Sequence, residues 1–247
     1  MTGRVFLTGD THGSFKRIQS FGKLYEFTKD DVLIILGDVG LNYFGDVRDE
    51  HGKKRLSSLP CTFFCIHGNH EMRPTAEMGY HTAEYNGGKV LIQDAYPNIL
   101  FPLDGEVFDF LGHQCVVIGG AYSVDKYYRL ANGQRWWPDE QPSPEIKAKV
   151  EHTLEELGWR VDVVLSHTCP LKYEPVEVFL PMIDQSNVDK STEVWLDGIE
   201  DRLSYDKWFC GHYHTHKVID KMRFMFEDFC EMGGHDGLLG QQGRRPE

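Results

Sequence analysis

Short apolar runs recur along the chain, each ending abruptly in polar residues and most of them beside a glycine. Arg4-Val-Phe-Leu-Thr8, Asp31-Val-Leu-Ile-Ile-Leu36, Cys61-Thr-Phe-Phe-Cys-Ile66, Val161-Asp-Val-Val-Leu165 and Trp208-Phe-Cys210 are rich in β-branched and aromatic residues. Runs of this length, apolar on both faces, read as strands buried from both sides. Lys89-Val-Leu-Ile92, Val107-Phe-Asp-Phe-Leu111 and Cys115-Val-Val-Ile118 predict strands of a second sheet. Helices are predicted over Ser14 to Phe27, Phe44 to Ser58 and Pro144 to Leu157. The last has Ser143 to cap its free N–H groups, Pro144 at the first helical position and Glu145 in the first turn. Strands that must be covered on both faces, with helices between them, predict an α/β layered sandwich of two mixed sheets flanked by helices.

The five leading runs end in chemically similar segments. These are Gly9-Asp10-Thr11-His12-Gly13, Gly37-Asp38, Gly68-Asn69-His70-Glu71, Ser166-His167 and Gly211-His212-Tyr213-His214. Loops at the carboxyl ends of α/β strands join a rigid scaffold to open space, and glycine lets the chain turn sharply beneath a ligand. Carboxylate, imidazole and a neutral Asn carbonyl together suit divalent ions of intermediate hardness. No Cys pair stands at zinc-finger spacing, which favours manganese, iron, cobalt or catalytic zinc over a structural zinc. The donors suffice for two adjacent ions, and therefore for a metal-dependent hydrolase.

The order of these segments resembles the calcineurin-like metallophosphoesterase superfamily, whose pattern runs Asp-x-His, Gly-Asp, Gly-Asn-His-(Glu/Asp), His and Gly-His-x-His. The likeness extends from Asp10 to His214. It implies two divalent cations, manganese first, with iron, zinc or cobalt as alternatives. One would take Asp10, His12 and His214, the other Asn69, His167 and His212, and Asp38 would bridge them. Two ions about 3.5–4 Å apart share a hydroxide that attacks phosphorus. The resemblance also implies that Asn69 and His70 contact the phosphate and that His70 protonates the leaving oxygen, a role suited to an imidazole. The other reading of His70 is an orienting residue beside the ligands. The protein serine/threonine phosphatase branch continues its second motif as Gly-Asp-x-x-Asp-Arg-Gly. Here Leu41 and Asn42 stand where that Asp and Arg would be, so what orients His70 is open.

Outside the motifs, Gly119-Gly-Ala-Tyr-Ser-Val-Asp-Lys-Tyr-Tyr-Arg129 and Gln134-Arg-Trp-Trp-Pro-Asp-Glu140 mix aromatic rings with cations after a strand end. One reading makes this a rim that selects the leaving group, with Arg129 or Lys126 on the phosphate and Tyr122 beside them. The other packs Trp136 and Trp137 on the sandwich and leaves the charges in solvent. Cys169 stands close to His167 and is either near the metals or simply packed, and His67 is left outside the ligand set.

Charge narrows the substrate. With 26 basic and 38 acidic residues the net charge is −12, which argues against nucleic acid in bulk, since polyanion binding draws on Lys and Arg. Bound cations would still attract phosphate locally. The expected substrate is a small phosphoester, a monoester with diesters also within reach. The alternatives are a phosphodiesterase or nuclease acting on short nucleotides, and a non-catalytic interaction module; a protein partner is not legible. Residues 1–230 are expected to form one domain and 231–247 a Gly-rich, loosely ordered polar tail. No apolar run reaches membrane-spanning length, so no membrane association is expected. Met1 leads straight into the first strand, and six cysteines lie scattered in or near apolar runs. A cytoplasmic enzyme with free thiols is therefore expected.

Overall fold

Alternate residues of the central strands face two different cores, and both are dry. The computed structural model describes residues 3–234. In it β1 (Val5–Thr8), β2 (Val32–Ile35) and β3 (Thr62–Cys65) send Val5, Leu7, Ile34 and Phe64 into one cluster and Phe6, Leu33, Ile35 and Phe63 into another. With β4 (His81–Tyr85), β5 (Gly88–Ile92), β6 (Ile99–Pro102) and β13 (Phe229–Glu231) these strands form a seven-stranded sheet ordered β13-β1-β2-β3-β6-β5-β4. A six-stranded sheet, ordered β11-β12-β10-β9-β8-β7, comprises β7 (Val107–Phe110), β8 (His113–Ile118), β9 (Val163–Ser166), β10 (Lys207–Cys210), β11 (Lys217–Ile219) and β12 (Met222–Phe224).

The two sheets pack face to face. Leu7, Ile34 and Phe64 of the first meet Phe108, Val117, Leu165 and Phe209 of the second. The outer face of the first sheet is covered by α1 (Lys16–Leu24) and α2 (Val47–Ser57), through Ile18, Phe21 and Leu56. The outer face of the second is covered by α4 (Pro144–Glu156) and α5 (Ser191–Glu200), through Val150, Leu154, Leu196 and Ile199. The architecture is thus a layered α/β sandwich of two mixed sheets. β1, β2, β3 and β6 run parallel, as do β8, β9, β10 and β12. Parallel order sends the loops after β1, β2 and β3 to one edge of their sheet, and those after β8, β9 and β10 to one edge of theirs.

Four expectations need adjustment. Lys89–Ile92 belongs to the first sheet, because β5 returns antiparallel on β6 with Val90 opposite Pro102 and Leu91 opposite Phe101; β7 and β8 alone of the three runs enter the second. The helix expected from Phe44 starts at Val47, because the Asp49 carboxylate accepts from the N–H groups of Phe44 and Gly45 and holds them outside the helix while Asp46 caps it at Arg48 N–H. The first helix is shorter than Ser14–Phe27: Ser14 N–H is taken by Thr11 O, and Phe27 N–H turns back to Gly22 O. At the other end of the chain, β13 pairs with β1 and Met232 N–H donates to Val5 O at 2.8 Å, so ordered structure passes residue 230. The tail expected beyond it lies, for residues 235–247, outside the described residues. The helix from Pro144 starts as read, with Ser143 Oγ accepting from Ile146 N–H at 3.3 Å. All six cysteines are buried free thiols. No helix among the described residues is long and apolar enough to cross a membrane.

Candidate metal centre

The loops after β1, β2 and β10 leave their strands through backbone that L-residues rarely adopt. His12, Asp38, His212 and His214 have φ of 45°, 49°, 66° and 48°. A left-handed non-glycine residue costs on the order of 1 kcal/mol and persists only where its surroundings hold it, which concentrates such residues at functional sites. Two glycines show how tightly the loops interlock. A Cβ on Gly37, whose φ is +98°, would sit 1.9 Å from His167 Nδ1, and one on Gly68 would sit 2.0 Å from Asp38 Oδ1. Glycine stands there because a side chain from another loop fills the space its own would take.

The donors converge. Asp10, His12 and His214 offer ligand atoms within 4.8 Å of one another, as do Asp10, Asp38 and His167. His12 Nε2 and His214 Nε2 face each other at 3.0 Å. On the other side Asn69 Oδ1 lies 2.8 Å from His167 Nε2 and 3.0 Å from His212 Nδ1. Asp38 sits between the groups, its Oδ2 at 3.8 Å from His12 Nε2 and 3.7 Å from His167 Nε2. His70 also offers a nitrogen within reach of His12 and Asp38, and its backbone N–H donates to Asp38 Oδ1 at 2.7 Å.

The chemistry of this donor set fits cations. His167 Nδ1 is 2.8 Å from Leu36 O; a carbonyl only accepts, so Nδ1 carries a proton, and in a ring free to bind a cation the lone pair is at Nε2. That lone pair points at the Asn69 carbonyl oxygen. Asn69 in turn is oriented by its Nδ2, which donates to Ser123 Oγ at 2.9 Å. Two acceptors face to face in a dry interior repel unless a positive charge lies between or beside them. The charges give the same message. Burial, then the neighbouring Asp38, pushes the Asp10 carboxyl up to about 8. Burial pushes Asp38 up too, but the imidazoles of His167, His70 and His12 outweigh it and hold Asp38 well below the ordinary carboxylate range. Burial lowers His212 far below the usual imidazole value and brings His214 down to about 4, leaving their nitrogens as neutral donors. Two carboxylates and several imidazoles crowded into one buried pocket are relieved by bound divalent ions.

Supporting side chains were not legible as such in the sequence. Arg17 Nη2 donates to Gly9 O at 2.8 Å and to Asp10 O, and its Nη1 to Thr8 Oγ1 at 3.0 Å, fixing the first loop. Glu71, quoted within a motif but without a role, accepts from Gly68 N–H at 3.1 Å and Gly40 N–H at 3.2 Å, tying the second and third loops together. Ser123 orients Asn69 and is itself held by Glu140, which also accepts from Trp136 Nε1 at 2.7 Å. Cys169 packs in the core with α5, where burial pushes its thiol far up; it is no donor here. His67 is buried, and burial holds its imidazole well below the usual value.

The aromatic segment divides. Tyr122 lines a cavity of about 370 Å³ beside Asp38, Asn69, His70 and His212. Lys126 does not line it, because its ammonium sits over the Trp136 ring at 4.0 Å. Arg129, on α3 (Lys126–Ala131), is 1 % exposed, near the rings of Tyr43 and Trp137 and behind the cavity wall. Neither Nη of Arg129 has a hydrogen-bond partner among the described residues. Between Arg129 and His70 stands Asp125: its Oδ1, buried and without a hydrogen bond, is 3.8 Å from His70 Nε2 and 4.0 Å from Arg129 Nη1. Burial lowers the His70 pKa and Arg129 adds to that, while Asp38 and Asp125 oppose it.

Solved structures share this fold at low identity. One crystal structure is 14% identical with a TM-score of 0.53, covering 96% of this chain and 98% of its own. TT1561 of Thermus thermophilus is 13% identical with a TM-score of 0.50, covering 90% and 88%. Phosphopantetheinyl hydrolase from Mycobacterium tuberculosis is 17% identical with a TM-score of 0.45, covering 91% and 88%. Among curated proteins none matches the sequence. The family model described as calcineurin-like phosphoesterase matches residues 3–216.

Proposed function

This chain belongs to the calcineurin-like phosphoesterase family, and from that premise we propose that it hydrolyses small phosphate esters, monoesters in preference to diesters, at a two-metal centre. Metal-dependent phosphoesterase chemistry follows from the family; the ligand assignment, the preference and the residue roles below are our reading. The observation that carries it is the meeting of six further donors around Asp38, with Asn69 Oδ1 facing His167 Nε2. Asp10, His12 and His214 would hold one ion and Asn69, His167 and His212 the other, with Asp38 shared. When bound, two such ions supply Lewis acidity at phosphorus and make water nucleophilic near neutral pH. Manganese is our first choice and iron, zinc or cobalt the alternatives, since all suit oxygen and imidazole donors.

The chain's own residues would do the rest. Asn69 Nδ2, Ser123 and Glu140 keep the carbonyl of Asn69 aimed inward. His70, on the cavity wall, would deliver a proton to the leaving oxygen. Asp125 beside its Nε2 would take the orienting part that the second motif lacks, with Arg129 behind it. The monoester preference is supported by charge: a monoester phosphate carries up to two negative charges and a diester one, and the buried guanidinium of Arg129, ion-paired with Asp125 at 4.0 Å, has neither Nη in a hydrogen bond among the described residues. A panel of aryl monoesters, aryl diesters and short oligonucleotides, run with metal analysis, tests this. Turnover of monoesters that chelation abolishes is the expected outcome; faster turnover of diesters or oligonucleotides would replace the reading with that of a phosphodiesterase or nuclease.

A further inference from the structure

The cavity beside the donors has walls of one character and a rim of one charge. Facing the donor cluster stand Val178, Phe179, Leu180, Ile183 and Val188, from the segment between β9 and α5. This wall is continuous with the metal ligands: the Phe179 ring stacks over Tyr213 with centroids 6.2 Å apart, and Tyr213 meets His212 edge-on at 4.9 Å. Leu180 is 59 % exposed and Val178 38 %. Neither is in a core cluster, yet both line the cavity. Beyond the donors, the ionisable side chains of the lining are Asp125, Glu174, Asp189 and Glu193, with no Lys or Arg. Lys190, whose ammonium lies over the Phe179 ring at 4.9 Å, is paired with Glu174 at 2.6 Å.

We propose that this cavity receives the leaving group of the substrate, and that the leaving group is an uncharged apolar alcohol, aromatic or branched. The inference rests on the phosphoesterase reading and adds to it the class of alcohol. Apolar walls reward removal of apolar surface from water. A leaving group bearing its own carboxylate or phosphate would instead be desolvated beside Asp125 and Asp189, with no Lys or Arg in the lining to pair it. The volume of about 370 Å³ lies low in the range of small-molecule sites, roughly 300–1,000 Å³. It admits one or two fused rings and excludes an oligonucleotide. The phosphate stays with the cations while the alcohol points along the Tyr213–Phe179 wall.

The test uses three aryl monoesters whose phenols have similar acidity: phenyl, 2-naphthyl and 3-carboxyphenyl phosphate, with the Mn²⁺-loaded protein. We expect kcat/KM for the naphthyl ester to exceed that for the carboxyphenyl ester by at least about tenfold, the scale on which an apolar pocket discriminates. Leu180→Asp, at a position exposed enough to leave folding intact, is expected to bring the naphthyl-to-phenyl ratio, above one in the wild type, close to one. Equal kcat/KM for the esters in the wild type, or an unchanged naphthyl-to-phenyl ratio in Leu180→Asp, overturns the inference. A second readout needs neither metal nor turnover: 2-naphthol fluorescence is expected to respond saturably to metal-free wild-type protein and not to Leu180→Asp. If no ester is hydrolysed while this Leu180-dependent binding holds, the phosphoesterase reading fails and the apolar preference of the cavity stands; if naphthol does not bind, the preference fails.

Discussion

Asp38 does more than any other side chain at the centre: it is buried, accepts the His70 N–H and faces both histidine groups. Asp38→Asn is expected to lower occupancy of both ions together, because only a shared carboxylate contributes charge to each. Metal analysis of the purified variant checks this, and an unchanged two ions per chain would remove the bridge. His70→Ala is expected to keep both metals and lower hydrolysis by roughly 10²–10⁴-fold, the usual effect of losing a positioned general acid. That loss should shrink for nitrophenyl esters, whose leaving group needs little protonation, and persist for alkyl esters. Asp125→Asn should show the same leaving-group dependence with a smaller loss, since it acts through His70. A loss in Asp125→Asn that is equal for both ester types would assign Asp125 to packing instead.

At the scale of elements, ligand loops are only as fixed as the strands that carry them, and β1 and β2 are joined at their entry by Asp31. Its carboxylate accepts from Arg4 N–H at 2.9 Å, Arg4 Nη2 at 2.8 Å and Thr28 N–H at 2.8 Å. Burial pushes this carboxyl up, but the bonds from Arg4 and Thr28 outweigh it and bring it down to about 2 from an ordinary 3.8. A carboxyl held low in the fold stabilises it fully above the unfolded value and loses that contribution as pH falls through the folded one. The stabilisation should therefore fade between about pH 4 and pH 2, by on the order of 1–2 kcal/mol, discounted because Arg4 is partly exposed. Urea midpoints for wild type and Asp31→Asn should converge across that window. Parallel curves would mean that the pair contributes nothing.

For the whole molecule, the centre lies where two sheets meet. Asp10, His12, Asp38 and Asn69 follow strands of the seven-stranded sheet, whereas His167, His212 and His214 follow strands of the six-stranded one. Ions bound there would tie the halves of the sandwich together, and binding to the folded state alone adds to stability. Free Mn²⁺ at about 100 times its Kd should contribute roughly 2.7 kcal/mol, raising Tm by roughly 5–10 °C for a chain of this size. Calorimetry with Mn²⁺ and with chelator checks this; the rise should be absent in Asp38→Asn. No rise in the wild type would mean that the folded donors do not bind the ion.

The sequence by itself determined whatever is local. An apolar run ending in glycine and a donor is a strand followed by a tight turn wherever it occurs, so the order of the five segments was readable, as was the capped start of α4 at Ser143. The tertiary structure decided which loops meet and what stands behind them. Leu36 O fixes the ring of His167 across 131 residues of sequence, and Asn69 reaches Ser123 across 54. No periodicity encodes such pairs, because they depend on how the two sheets pack face to face. The same holds for β5, whose apolar pattern suits either sheet until its antiparallel return on β6 places it. It holds too for Arg129, Lys126 and Asp125, three charges within five residues of sequence. Helix geometry and the neighbouring rings send one behind the cavity wall, one onto Trp136 and one beside His70.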